Sequence, residues 1–244
     1  MSDFNEFDQQ GSAPDRNTGS IISHAFEMYK GVILYAVVAS IIYFIADFII
    51  QSISGFNYWS NFNDFRDLDG DYKDYSYWNK PGVSTYSSFS GVVSILISPL
   101  FVGLIYITNK FNTKVAVEFS DLFIGYRQNL GNILLYSLIT NIILWISIIM
   151  CIIPFFFVYP LFLIGYPILL FENSSAMDAL SKTYNIAKEN YGVFLGAAIL
   201  GLIISAAGIL LCCVGIIFTL PFITIVMYST YCAYLGKPRQ ITYK

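Results

Sequence analysis

Apolar residues gather into six long runs along this chain, at about 32–50, 89–108, 131–150, 153–171, 193–211 and 214–235. Each is close to the roughly 20 residues a helix needs to cross the hydrocarbon core of a bilayer, so each predicts a spanning helix. Between the runs lie shorter stretches with helical rather than continuous apolar periodicity. Ile21, Ile22, Ala25, Phe26 and Tyr29 fall on one face of the segment Ser20–Lys30, with Ser23, Glu27 and Lys30 opposite. Val115, Phe119, Leu122, Phe123 and Tyr126 do the same within 113–129, and a third such stretch covers 175–191, opening on the capping pattern Ser175-Ala176-Met177-Asp178. Amphipathic helices of this kind are expected to lie along the membrane surface.

The runs repeat. Pro99, Pro160 and Pro221 stand 61 residues apart, Pro99-Leu100-Phe101-Val102-Gly103 reads like Pro160-Leu161-Phe162-Leu163-Ile164-Gly165, and Cys151 and Cys212 each precede their proline by nine residues. A fixed period points to one supersecondary unit used several times. The expected architecture is all-α and integral to a membrane: six transmembrane helices arranged as three repeats of an amphipathic helix plus a kinked helical hairpin. The first copy differs by an insertion, the polar, acidic and aromatic stretch 52–88.

Polar residues set the borders. Residues 1–19 offer too little apolar surface to offset chain entropy and are expected to form a disordered tail without the basic start and short apolar core of a signal peptide. The membrane domain covers 20–235, and 236–244 form a second tail. Six spans put both termini on one side. Ten of the 13 Lys and Arg fall on that side, and Arg66, Lys73 and Lys80 fall in 52–88. Basic excess marks the cytoplasmic face, which places both tails inside and 52–88 outside a bacterial inner membrane.

Composition sharpens the picture. The chain is 56% hydrophobic and only 12% charged, with mean hydropathy +0.62; soluble proteins carry roughly twice that share of charge. Its formal net charge of −3 argues against a nucleic-acid partner. The sequence holds no phosphate loop, dinucleotide-binding glycine pattern, nucleophile elbow or zinc-protease helix. One histidine, His24, placed on a surface helix, cannot build multi-histidine metal chemistry. An enzyme is not expected, and no cofactor is called for.

A few residues could carry chemistry. Asp47 is the only carboxylate inside an apolar run; such residues are expensive in lipid and suggest a proton or ion role, although its nearness to the outer loop also lets it reach interfacial water. Asn141 and Glu172 are weaker examples. Pro99, Pro160 and Pro221 could act as hinges or line a cavity, or could simply let each second span wrap its neighbour. Ala197, Gly201, Ser205 and Gly208 form a small-residue stripe suited to close helix packing or to a dimer seam. Cys151, Cys212 and Cys213 sit at equivalent outer turns, where either a disulfide (Cys151 with Cys212 or Cys213) or buried free thiols are reasonable. Asp67, Asp69, Asp71 and Asp74 resemble a calcium-binding loop, but Phe65 occupies the first ligand position. Around them Tyr58, Trp59, Tyr75, Tyr77 and Trp78 could stack on a sugar or a partner, or form an interfacial aromatic belt.

Met177-Asp178-Ala179-Leu180-Ser181-Lys182, Asn190-Tyr191-Gly192, Gly208 and Thr219-Leu220-Pro221, with Asp121-Leu122-Phe123-Ile124-Gly125-Tyr126 in the preceding unit, resemble a broad group of bacterial six-span inner-membrane proteins. That group includes the membrane domain ahead of some glycerophosphodiester phosphodiesterases. The resemblance covers nearly all of 20–235 and implies the six-span fold, but brings no functional residues with it. Relatives in the Bacteroidetes are sometimes labelled carotene-cleaving monooxygenases; that label implies iron held by four histidines, which a chain with one cannot supply. The reading that remains is a non-enzymatic scaffold or accessory factor of the cell envelope, touching membrane lipids and a protein partner through 52–88 or the surface helices. The alternative is a transporter or channel for a small or lipidic solute.

Overall fold

A computed structural model describes residues 11–58, 60, 80–150, 152–210, 214–236 and 238. Most of the described residues are helical, and they contain no strand. Six helices are long and apolar enough to cross a membrane: Thr18–Ser54, Val83–Asn112, Leu130–Met150, Ile152–Phe171, Tyr191–Leu210 and Gly215–Leu235. The all-α membrane fold read from the hydrophobic runs is therefore the observed one. The chain divides into two compact units, Met1–Ser40 with Ser98–Lys244, and Ile41–Ile97.

Helix α1 runs unbroken through Thr18–Ser54, 37 residues. At 1.5 Å per residue it is about 55 Å long, well beyond the roughly 30 Å of a bilayer core. The surface helix expected at 20–30 is thus the first three turns of the first span. Part of its apolar face meets protein: Ile21, Ala25, Met28, Val32, Ala36 and Ala39 recur every three or four residues and are all buried, while Phe26 stays exposed. No proline separates the two segments, and Lys30-Gly31 at their junction stay within the helix.

Helix α2 spans Val83–Asn112 with Pro99 inside it. Because α1 continues to Ser54 and α2 begins at Val83, both ends of the expected loop 52–88 are helical. The serines and tyrosines there hid helix from a reading based on apolar runs. Trp59, Trp78, Asp67, Asp69, Asp71 and Asp74 lie outside the described residues, as do Cys151, Cys212 and Cys213.

The amphipathic stretch 113–129 is shorter than expected. Residues 115–118 are not helical; a 3-10 turn, Phe119–Phe123, leads into α3, Ile124–Arg127. Asp121 fixes the turn by accepting from the Glu118 backbone N–H at 2.7 Å and from Lys110 Nζ at 2.7 Å. Two glycines allow this segment to lie backbone-to-backbone on α2. A Cβ on Gly103 would stand 1.9 Å from the Leu122 carbonyl oxygen, and one on Gly125 would stand 2.2 Å from that of Pro99.

Next come α4 (Leu130–Met150), α5 (Ile152–Val158), a 3-10 turn (Tyr159–Phe162) and α6 (Gly165–Phe171). Helix α7, Ala176–Glu189, is the amphipathic helix as anticipated: the Ser175 hydroxyl accepts from the Asp178 N–H at 3.2 Å, and Ala176, Ala179, Thr183 and Ala187 form the buried stripe. Helix α8 (Tyr191–Ala207), a 3-10 turn (Gly208–Leu210), α9 (Val214–Thr219) and α10 (Phe222–Leu235) complete the chain. The small-residue stripe on α8 serves packing within the chain: Ala197, Gly201, Ser205 and Gly208 are all buried, with Ile223 and Val226 of α10 against Gly201.

The three repeated prolines are not structurally equivalent. Pro99 sits in an unbroken helix, Pro160 in a 3-10 turn, and Pro221 caps the start of α10 after a break. Span four also carries Pro154 and Pro167, and three prolines in 14 residues prevent one continuous ladder. At Pro221, side chains of neighbouring helices take up freed backbone groups. Thr219 Oγ1 donates to the Ser205 carbonyl at 2.7 Å and accepts from the Gly208 N–H at 3.2 Å, while Ser205 Oγ accepts from the Ile223 N–H at 3.0 Å. This is the re-satisfaction that lipid demands of an interrupted helix.

Candidate functional sites

Two polar clusters, one from each unit, differ in chemistry. In the unit Ile41–Ile97 the cluster is built on Asp47. Its two oxygens accept from Gln51 Nε2, one turn along α1, at 2.7 Å and from the Tyr86 hydroxyl of α2 at 2.6 Å. The Tyr86 hydroxyl is also hydrogen-bonded to that of Tyr58. Because Tyr86 donates its proton to Asp47, it receives one from Tyr58, so the order runs Tyr58 to Tyr86 to Asp47. The rings reinforce it: Phe56 stacks on Tyr86 with centroids 4.5 Å apart, and Tyr58 meets both edge-on at 5.0 and 5.6 Å. Gly82, at φ +79°, lets the chain turn closely over the end of α1; a Cβ there would stand 2.6 Å from the Ser54 carbonyl oxygen. Asp47 is therefore a half-buried, well-bonded carboxylate. Tyr58 thus packs edge-on against rings of its own chain.

The second cluster lies in the unit Met1–Ser40 with Ser98–Lys244, and sequence reasoning missed it. His24 is buried, at 6% exposure, and does not face the surface. Its Nδ1 is 2.9 Å from Ser229 Oγ, and its Nε2 is 3.2 Å from the Ser12 carbonyl and 3.1 Å from Ser12 Oγ. A carbonyl only accepts, so Nε2 is the donor and, in the neutral ring, Nδ1 accepts from the Ser229 hydroxyl. Asn112 Nδ2 donates to the Ser12 carbonyl at 2.8 Å and to the Tyr228 hydroxyl at 2.9 Å; Tyr228 donates on to Asn109 Oδ1 at 3.0 Å. Asn112 Oδ1 accepts from the Ser12 N–H at 2.8 Å and the Ser12 hydroxyl at 3.2 Å. Asn109, Asn112, Tyr228 and Ser229 are all buried.

Residues 11–19 therefore depart from the expected disordered tail, with 1–10 outside the described residues. The segment is pinned at several points besides Ser12. Asp15 N–H donates to Ser20 Oγ at 3.0 Å, Arg16 Nε donates to the Ala233 carbonyl at 3.2 Å, and the Arg16 guanidinium lies over the Tyr234 ring. The contact with Ala233 also puts the two ends of the membrane domain together, as an even number of spans requires. The signal available in the sequence was the pair Asn109 and Asn112, one turn apart at the end of an apolar run; polar side chains at that spacing share a helix face.

The lesser candidates have local roles. Asn141 Nδ2 donates back to the Ser137 carbonyl at 2.8 Å within its own helix. Glu172 pairs with Lys182 at 2.6 Å, a partly exposed ion pair. Cys232 is buried. Among the described residues, no three His, Cys, Asp or Glu side chains lie together as a metal site would need. No protein-family model, curated protein or solved structure matches the chain.

Proposed function

We propose that this protein is a non-enzymatic multipass scaffold or accessory factor of the bacterial envelope, seated in the inner membrane with both termini in the cytoplasm. The observation that carries this reading is the cluster around Asn112. Its buried polar groups bind one another across α1, α2 and α10 and bind the chain's own N-terminal segment, the behaviour of groups that hold a surface in shape. The cytoplasmic placement rests on the basic excess of the terminal side. Partners would be membrane lipids and a protein.

Affinity purification of the tagged protein from mild detergent tests the reading. A protein or lipid that co-purifies reproducibly supports it; recovery no different from that of a control membrane protein overturns it. Modification of single cysteines placed at Ser12 and at Asn57 in intact cells checks the sidedness, with Asn57 expected to react first.

A second reading, movement of a small or lipidic solute, is favoured by Asp47, a carboxylate within a spanning helix bonded to a tyrosine from another. Flux into liposomes carrying the wild-type protein or Asp47→Asn tests it. Transport that falls in the variant supports the reading, and flux equal to empty vesicles with both proteins removes it.

A further inference from the structure

The N-terminal segment meets Asn112 in a particular way. One side-chain amide pairs with both main-chain groups of one residue, its oxygen taking the Ser12 N–H and its nitrogen giving to the Ser12 carbonyl, each at 2.8 Å. This is the pairing a neighbouring β-strand would offer, and the Ser12 side chain is held as well, its hydroxyl lying 3.2 Å from Asn112 Oδ1 and 3.1 Å from His24 Nε2. His24 adds a second contact to the same carbonyl. The residue before Ser12 is restricted, however. Gly11 has φ +106°, and a Cβ there would lie 3.0 Å from the Asn112 carbonyl oxygen and 3.3 Å from its Oδ1. Glycine followed by a small residue is what fits.

Receptor and occupant are also distinguishable. Asn112, Tyr228, Asn109 and His24 are buried and oriented by bonds among themselves and to Ser229 that do not involve the segment. Ser12 and Ala13, in contrast, are exposed on top of them. An oriented receptor under an exposed segment is the arrangement of a binding site with its ligand in place.

We propose that the cluster around Asn112 is a peptide-binding site that reads the main chain and hydroxyl of a glycine followed by a small hydroxyl residue, and that residues 11–13 occupy it in cis. A protein partner bearing such a segment would bind only when the chain's own strand is displaced. The tether to α1 is a few residues long, which gives the cis strand an effective concentration in the millimolar range and excludes weaker ligands until it leaves. This names the partner class and the contact for the scaffold reading and rests on that reading for its use in the cell.

The test uses the full-length protein in detergent and a fluorescent peptide of residues 9–17. The substitutions Gly11→Val and Ser12→Pro together force the tethered strand out, by crowding Asn112 and removing the donor N–H. The mobility of a spin label on a cysteine placed at Ala13 reports its release. The peptide is expected to bind this variant at least roughly tenfold more tightly than wild type. Adding Asn112→Leu, or using a peptide with Gly11→Val, is expected to abolish binding. A variant whose segment moves freely yet binds no peptide overturns the proposal, as does a segment whose label stays as immobile as in the wild type, since the pairing with Asn112 would then not be what holds it. If the double variant does not survive solubilisation, Ser12→Pro alone is read the same way, and absence of peptide binding overturns the site. Binding supports the site even where no protein co-purifies from cells, and its absence counts against the site even where one does, so the two readings fail separately.

Discussion

The two polar clusters answer the same difficulty in opposite ways. Around Asn112 the groups are neutral amides, hydroxyls and an imidazole, deeply buried, each giving to or taking from the next. Around Asp47 the centre is a carboxylate, only half-buried, held by a glutamine on its own helix and a tyrosine on another. A neutral network can be sealed because its donors and acceptors match in number, whereas a carboxylate only accepts and must be brought donors from outside. The first cluster is thus suited to fixing helices and the N-terminal segment in register, and the second to a place where a charge keeps access to solvent. Perturbing the first should therefore cost more stability than perturbing the second.

The largest contrast is expected from glycines. Gly103→Ala, which drives a Cβ into the Leu122 carbonyl, should destabilise by at least about 1–3 kcal/mol, whereas Gly91→Ala meets nothing within 4 Å and should be neutral or raise stability by up to about 1 kcal/mol through helix propensity. Thermal unfolding in detergent compares them, and equal melting points would contradict the close packing described for α2.

Somewhat smaller is the effect of Tyr228→Phe. It strips a partner from Asn109 and from Asn112 while keeping the ring, and should cost about 1–3 kcal/mol because both amides stay buried. Asp47→Ala, at the half-exposed site, should cost about 1 kcal/mol, the loss of charge-assisted bonds being softened by solvent. Measured side by side by chemical denaturation, these two sharpen the comparison; a larger effect at Asp47 would reverse it. Least of all should be Lys182→Ala, which removes a surface ion pair to Glu172 worth about 0.2–1 kcal/mol, and that difference should shrink further in high salt.

Six spans were legible because each is a run of about 20 apolar residues, a signal that needs no tertiary context. Boundaries were less legible where the helix is made of other residues: Val83–Ser88 continues α2 with serine and tyrosine, and Thr18–Lys30 continues α1 with an amphipathic pattern that a surface helix would share. Periodicity shows that a face is apolar and does not say whether lipid or protein covers it. The prolines repeat in sequence but diverge in form, since what a proline does depends on its neighbours: two further prolines around Pro160, and Ser205 and Thr219 beside Pro221. Of the candidate residues, Asp47 was visible because a charge stands out in an apolar run. The Asn112 cluster was hidden because its members are ordinary residues far apart in sequence, and only folding brings Ser12, His24, Asn112 and Tyr228 together.

The contact between His24 and Ser229 joins residues 205 positions apart, near opposite ends of the chain. In the cell those residues are made at different times. At about 5–20 residues per second, Ser229 follows His24 out of the ribosome by roughly 10–40 s. Through that interval α1 is already synthesised while its imidazole and the strand above it wait for α10. The bond can close only after the last span has been delivered, which makes it a marker of completed assembly: a chain stalled or cut short before α10 would leave the N-terminal strand loose.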